Sequence, residues 1–149
     1  MSKIRGIFTL IQFVITVSIT IILMYIFNKH HHKIRKVWTG LQIKLLGIKL
    51  EVKGEIDSSC DMIIMNHQAL LDIVVMEHLH PRNLAWVGKK EITDLFFFGH
   101  IMKAPHMITI NREDKTGIVT LLKEGKNRLD NERPIAMFPE GTRSDGLRM

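Results

Sequence analysis

The chain has 149 residues, enough for one domain with a proper core and too few for two of ordinary size. A formal charge of +6 and a pI near 9.6 favour anionic partners: membrane lipid, nucleic acid or a phosphorylated substrate. Aromatic residues are only 7% and no basic run is interleaved with them, which argues against nucleic acid; one cysteine, Cys60, makes no internal disulfide, and no Cys/His spacing marks a zinc site.

Mean hydropathy is an ordinary +0.08, but the apolar residues are concentrated at the N-terminus. No charged residue occurs from Ile7 to Phe27. As a helix that stretch is roughly 31 Å long, about the thickness of a bilayer core. It is long for a signal-peptide core, and no small-x-small cleavage site follows it, so a retained membrane anchor is expected. Lys29, Lys33, Arg35 and Lys36 outnumber Lys3 and Arg5 at the other end, which predicts that the bulk of the chain is cytoplasmic, at the cell membrane. His30, His31 and His32 read as solvated at headgroup level.

Ile34, Val37, Trp38, Leu41, Leu45 and Ile48 recur at helical spacing with Lys33, Arg35, Lys36 and Lys44 between them. That pattern predicts a basic amphipathic helix at an anionic membrane interface; an ordinary surface helix packed on the domain is the alternative. Gly47 ends it, and Ile48–Lys53 alternates apolar and charged like a half-exposed strand. Apolar runs at 62–65, 84–87, 107–110 and 134–138 predict strands. Leu70–Leu79 reads as a helix stopped by Pro81. A later helix opens at Asp114, with Ile118, Leu121, Leu122 and Leu129 as its apolar face. For the Leu95–Phe98 run, core packing is the default reading. Strands alternating with helices imply an α/β fold with a mainly parallel central sheet flanked by helices, preceded by the hydrophobic membrane helix and the amphipathic helix. The division is 1–47, membrane-anchoring helices, and 48–149, the α/β domain. Ligands of such sheets bind beyond the carboxyl ends of the strands.

Chemistry is suggested first by Asn66-His67-Gln68-Ala69-Leu70-Leu71-Asp72. On one continuous helix, residues five apart point roughly 140° away from each other and do not meet. They meet if His67 lies in the turn after a strand and Asp72 in the first turn of the next helix. An imidazole oriented by a carboxylate is a general base for a hydroxyl. A capping Asp with an incidental loop His explains the same stretch, and on this stretch alone the two stand level. Two further polar groups fall at predicted strand ends: Asn111-Arg112, and the turn Glu140-Gly141-Thr142-Arg143-Ser144.

The His67-x-x-x-x-Asp72 pair, then Ile110-Asn111-Arg112, then Phe138-Pro139-Glu140-Gly141-Thr142-Arg143-Ser144, closely resembles the glycerolipid acyltransferase family, in particular its 1-acyl-sn-glycerol-3-phosphate acyltransferases. The likeness covers roughly residues 45–149. It implies transfer of an acyl group from acyl-CoA or acyl carrier protein to the free hydroxyl of lysophosphatidate, giving phosphatidate, with no resident cofactor or metal. His67 is then the base and Asp72 its orienter. Arg112 and Arg143 grip the phosphate by paired guanidinium hydrogen bonds. Gly141 admits close backbone approach, Thr142 adds a hydroxyl, and Glu140 orients an arginine or the acceptor's glycerol. Two alternatives are another lyso-lipid acceptor and a non-catalytic, membrane-associated binding fragment.

The pattern departs from the family in two places. Members usually carry a glycine six residues before the arginine, where this chain has His106. They also continue beyond the Glu-Gly-Thr-Arg turn with a Val-Pro-x-x-Pro-like strand, whereas this chain stops at Met149. A fragment or shortened form is therefore expected, with poor activity from residues 1–149 alone.

Overall fold

The computed structural model describes residues 2–111, 114 and 116–140. The uncharged N-terminal stretch is one helix, α1 (Ser2–Ile26), long and apolar enough to cross a membrane. Its hydroxyls bond back into the helix: Ser18 Oγ donates to the Val14 carbonyl and Thr20 Oγ1 to that of Thr16, so neither is left unsatisfied. A short 3₁₀ turn, Asn28–His30, reverses the chain into α2 (His31–Leu45). The resulting hairpin is joined where α1 is polar. Gln42 donates to Thr16 Oγ1 at 2.9 Å, Gln12 donates to Gln42 at 3.2 Å, and Phe13 meets Trp38 edge-on.

Gly47 ends α2 as the sequence predicts. It takes φ +66°, and the Gly47 and Ile48 amides bond back to the Lys44 and Ile43 carbonyls. That is the Schellman closure, for which a left-handed residue is required.

The domain follows as β1 (Met62–Ile64), α3 (Leu70–Leu79), β2 (Ala85–Lys89), α4 (Lys90–Asp94), α5 (His100–Lys103), β3 (Ile108–Ile110), α6 (Thr116–Asp130) and β4 (Ile135–Met137). All pairings are parallel and the strand order is β1-β4-β2-β3. On one face, Leu84, Trp86, Met107 and Ala136 pack with Ile73 and Met76 of α3. On the other, Ala85, Ile108 and Ile135 pack with Leu121 of α6. Behind α3 lies α2, and behind α2 lies α1, whose Val17, Ile21 and Met24 form a separate cluster with Ala104 and Phe97. An α/β fold with a parallel sheet is what the alternation of elements predicted.

Several local expectations are corrected. Residues 48–53 are irregular chain, and among the described residues no strand pairs with the alternating segment. Arg35 is not on a solvated basic face; it is buried against Glu77 of α3, and Lys36 donates to the His80 carbonyl at 2.7 Å. Of the three histidines only His30 is exposed; His32 Nδ1 approaches Glu77 Oε1 at 3.8 Å. Among the described residues no group of three metal-ligating side chains occurs. Helix α6 buries Gly117 and Gly125, with Leu121 partly buried between them, and leaves Ile118 and Leu122 exposed: its smallest residues, not its largest, allow close approach to the sheet. The phenylalanine run splits, with Phe97 in the α1 cluster and Phe96 95% exposed.

Candidate active site

Because every strand is parallel, the carboxyl ends of β1, β2, β3 and β4 share one edge of the sheet. Successive polar groups therefore arrive there from distant parts of the chain: His67 three residues after β1, Asn111 just after β3, and Glu140 three residues after β4. Neighbouring strands are about 4.8 Å apart, so β4 delivers its loop beside His67, whereas β3 ends roughly 14 Å along the edge.

His67 lies in the irregular link between β1 and α3, and Asp72 is the third residue of α3. His67 Nδ1 is 3.0 Å from Asp72 Oδ2. The same oxygen accepts the backbone N–H groups of Gln68 at 2.7 Å and Ala69 at 2.9 Å. Ala69 is the N-cap and has no side-chain acceptor, so Asp72 supplies the capping from inside the helix. The two readings of this stretch are thus not exclusive: one oxygen caps the helix and holds the imidazole. With Nδ1–H donated to a carboxylate, Nε2 carries the lone pair and is the basic nitrogen. Partial burial raises the Asp72 pKa, but the hydrogen bonds from Ala69, Gln68 and His67 together outweigh it, and the carboxyl stays below the usual carboxylate range.

Four aromatic or charged residues to which the motif reading gave no role complete the surroundings of His67. Phe138 stacks on the imidazole, ring centroids 4.0 Å apart and planes 19° from parallel. Trp86 stacks on the far side of the cluster, 5.6 Å from Phe138 at 26°. The indole Nε1 donates to Glu77 Oε2 at 2.8 Å, and Arg35 donates to the same oxygen at 3.0 Å and to Asn83 Oδ1 at 2.6 Å. Glu77 and Arg35 are 3% and 4% exposed. Burial pushes the Glu77 carboxyl up, but Arg35, His32 and Trp86 bring it below its ordinary value, so it is ionised. A signal for Phe138 was available: continued one residue past β4, the alternation puts Ala136 and Phe138 on the face that Trp86 shares.

Of the remaining expected residues, Glu140 is exposed at the same edge, while Arg112, Gly141, Thr142 and Arg143 lie outside the described residues. His106, which stands where a glycine was expected, has φ +53°, the left-handed region that glycine favours. Its carbonyl accepts from Arg128 Nε at 2.8 Å and Arg133 Nη1 at 3.4 Å. Cys60 sits before the amino end of β1, at the opposite edge of the sheet from His67; the hydrogen bond with Asp57 pushes its thiol pKa up.

A family model described as Acyltransferase matches residues 50–149. The chain is 40% identical over 147 residues to the 1-acyl-sn-glycerol-3-phosphate acyltransferase of Helicobacter pylori, covering 97% of this chain and 62% of that protein. It is 32% identical over 111 residues to the Escherichia coli protein of the same name, covering 72% and 45% of the two chains. With the lyso-ornithine lipid O-acyltransferase of Rhizobium meliloti it shares 24% identity over 136 residues, covering 91% and 46%. The chain thus spans less than two thirds of the length of these relatives. No solved structure matches it at a significant level.

Proposed function

The chain belongs to the acyltransferase family, and on that premise we propose that it forms phosphatidate by moving an acyl group from a thioester to the 2-hydroxyl of 1-acyl-sn-glycerol-3-phosphate. The observation that carries this reading is the 3.0 Å contact of His67 Nδ1 with Asp72 at the carboxyl edge of the sheet. In the proposed step, Nε2 of His67 takes the hydroxyl proton as the oxygen attacks the thioester carbonyl. Asp72 stabilises the imidazolium formed. The tetrahedral intermediate collapses by breaking the C–S bond, and the departing thiolate recovers the proton from Nε2. The ester is made and the free thiol of the donor, acyl-CoA or acyl carrier protein, leaves. Attack is direct: Cys60 lies at the wrong edge of the sheet with its thiol held neutral.

Arg112 and Arg143 are proposed to hold the acceptor phosphate, with Glu140, Gly141 and Thr142 shaping the glycerol end. We assign residues 1–47 to anchoring and 48–149 to the acyltransferase unit. The long apolar face of α1 supports residence at a membrane; the domain is assigned to the cytoplasmic side on the excess of basic residues at 29–36 over Lys3 and Arg5. Because one side of α1 packs on α2, Phe97 and Ala104, α1 and α2 are proposed to dip together into one leaflet, α1 not spanning the bilayer.

The experiment is an acceptor panel on membranes containing the protein, with labelled acyl donor. Phosphatidate from lysophosphatidate, abolished in His67→Ala, is expected. Acylation of lyso-ornithine lipid alone would replace the acceptor, an alternative favoured by the likeness to the Rhizobium protein. Lipid binding with no turnover in either variant would leave a non-catalytic binder.

A further inference from the structure

Asp72 fixes only one edge of the His67 ring. A single hydrogen bond at Nδ1 sets the distance and the tautomer, but the imidazole can still swing about that contact. His67 also stands on irregular backbone, which does not hold its side chain as a helix or strand would. A base must keep its lone pair aimed at one point to within about 10–20°. Something besides Asp72 must define the ring plane.

We propose that Phe138 and Trp86 are positioning residues for His67, Phe138 stacked on its imidazole and Trp86 backing Phe138 and tied through Glu77 to Arg35 of the anchor hairpin. The inference rests on the reading of His67 as the base. Its physical basis is a closed circuit. Helix α3 holds both ends: Asp72 in its first turn grips the imidazole edge, and Glu77, five residues on, grips the indole of Trp86. Between them run the three near-parallel rings of His67, Phe138 and Trp86. The ring is held at its edge by α3 through Asp72, and on its face by Phe138, whose backing indole is bonded to the same helix through Glu77, so no soft rotation is left.

The buried ion pair makes sense on the same terms. Burying a carboxylate and a guanidinium is expensive, and an apolar pair of the same volume packs as well or better. Arg35 and Glu77 therefore contribute little as glue. What they supply is a charged oxygen at a fixed point, and the Trp86 N–H is directional enough to use it. The indole cannot slide along Phe138 without breaking that bond. Arg35, anchored also by Asn83, extends the circuit into α2, so the membrane hairpin is part of the catalytic assembly and not a detachable tether.

The test is steady-state acyl transfer by the whole chain in its membrane, with thermal melting alongside. Phe138→Leu keeps an apolar side chain and removes the stack; kcat is expected to fall ~10-fold with KM within ~2-fold, the loss expected of an aromatic pair that acts on a transition-state interaction. Phe138→Tyr keeps the ring and is expected to return kcat to within ~2-fold of wild type. Trp86→Phe keeps the stack and removes only the N–H; a ~3-fold loss in kcat is expected, and this variant carries the test if Phe138→Leu does not fold. If His67→Ala keeps its turnover, the base reading falls and this proposal with it. If His67→Ala is dead while Phe138→Leu and Trp86→Phe melt and turn over like wild type, the base reading stands and the positioning proposal is wrong. A loss in Phe138→Leu that Tyr does not rescue, or one confined to KM, also overturns it.

Discussion

Asp72 makes three hydrogen bonds through one oxygen, and that separates its two jobs by substitution. Asp72→Ala removes the contacts to the Gln68 and Ala69 amides as well as the one to His67. Losing a cap of this kind costs about 1–2 kcal/mol. At ~2–4 °C per kcal/mol for a chain of this size, melting should fall by roughly 2–8 °C. Loss of the orienting group should lower turnover by ~10²–10⁴-fold, the range for a general base. Asp72→Asn behaves differently. Since all three donors converge on Oδ2, a single amide oxygen in that place accepts all three, keeping both the cap and the imidazole tautomer. Only the charge is lost. A charge-assisted bond exceeds a neutral one by about 1–1.5 kcal/mol, so turnover should fall only about tenfold, with little change in melting. Phosphatidate formation and circular-dichroism melts in detergent read both quantities. If Asn is as inactive as Ala, or if Ala keeps more than a tenth of wild-type turnover, the shared-oxygen account is refuted.

Three other perturbations probe the surrounding structure. Arg35→Met strands the buried Glu77 charge and should cost ~3–5 kcal/mol, whereas Arg35→Met with Glu77→Leu should recover most of it; equal melting of the single variant and wild type would deny the pair its burial. His31 has its pKa lowered to about 4, chiefly by burial and then by Arg35 and Arg133. The unfolded chain therefore takes up a proton near 6.5 that the folded chain refuses until about 4, so stability is full above 6.5 and is lost as pH falls through that window. The ring is only half-buried, which discounts the loss to about 1–2 kcal/mol; melts at pH 7 and 4.5 should differ more in wild type than in His31→Gln. At His106, φ +53° tolerates glycine and resists β-branching. His106→Gly should melt within a few degrees of wild type, and His106→Val should lose ~1–3 kcal/mol, a ranking that a melting series checks directly.

What the chain reveals by itself is what depends on near neighbours. The helix over Leu70–Leu79 was legible to the residue, because an apolar run ends before Pro81 and both limits are written locally. The meeting of His67 and Asp72 was legible for the same reason: a strand-turn-helix puts residues five apart within reach, and a continuous helix does not. Arg35 was not legible. Between Lys33 and Lys36 it looks like any solvated cation, and only Glu77, 42 positions later, makes it a buried one. Residues 48–53 failed in the opposite sense, since alternation is a property of the segment but a strand is a property of a pair.

The same division runs through the candidate site. The motif names the groups that would handle protons and phosphate, because their chemistry is written in residue type. The groups that hold the imidazole plane are ordinary core residues, a phenylalanine and a tryptophan, and nothing in their type marks them. Alternation places Phe138 on the face of Trp86, but its contact with His67 follows only when parallel strands bring β4 between β1 and β2, so that Phe138 reaches His67 on one side and Trp86 on the other. Strand order is therefore the step at which a core becomes a site. A chain with the same motif but β4 placed elsewhere would keep its His-Asp pair and lose the stack that aims it.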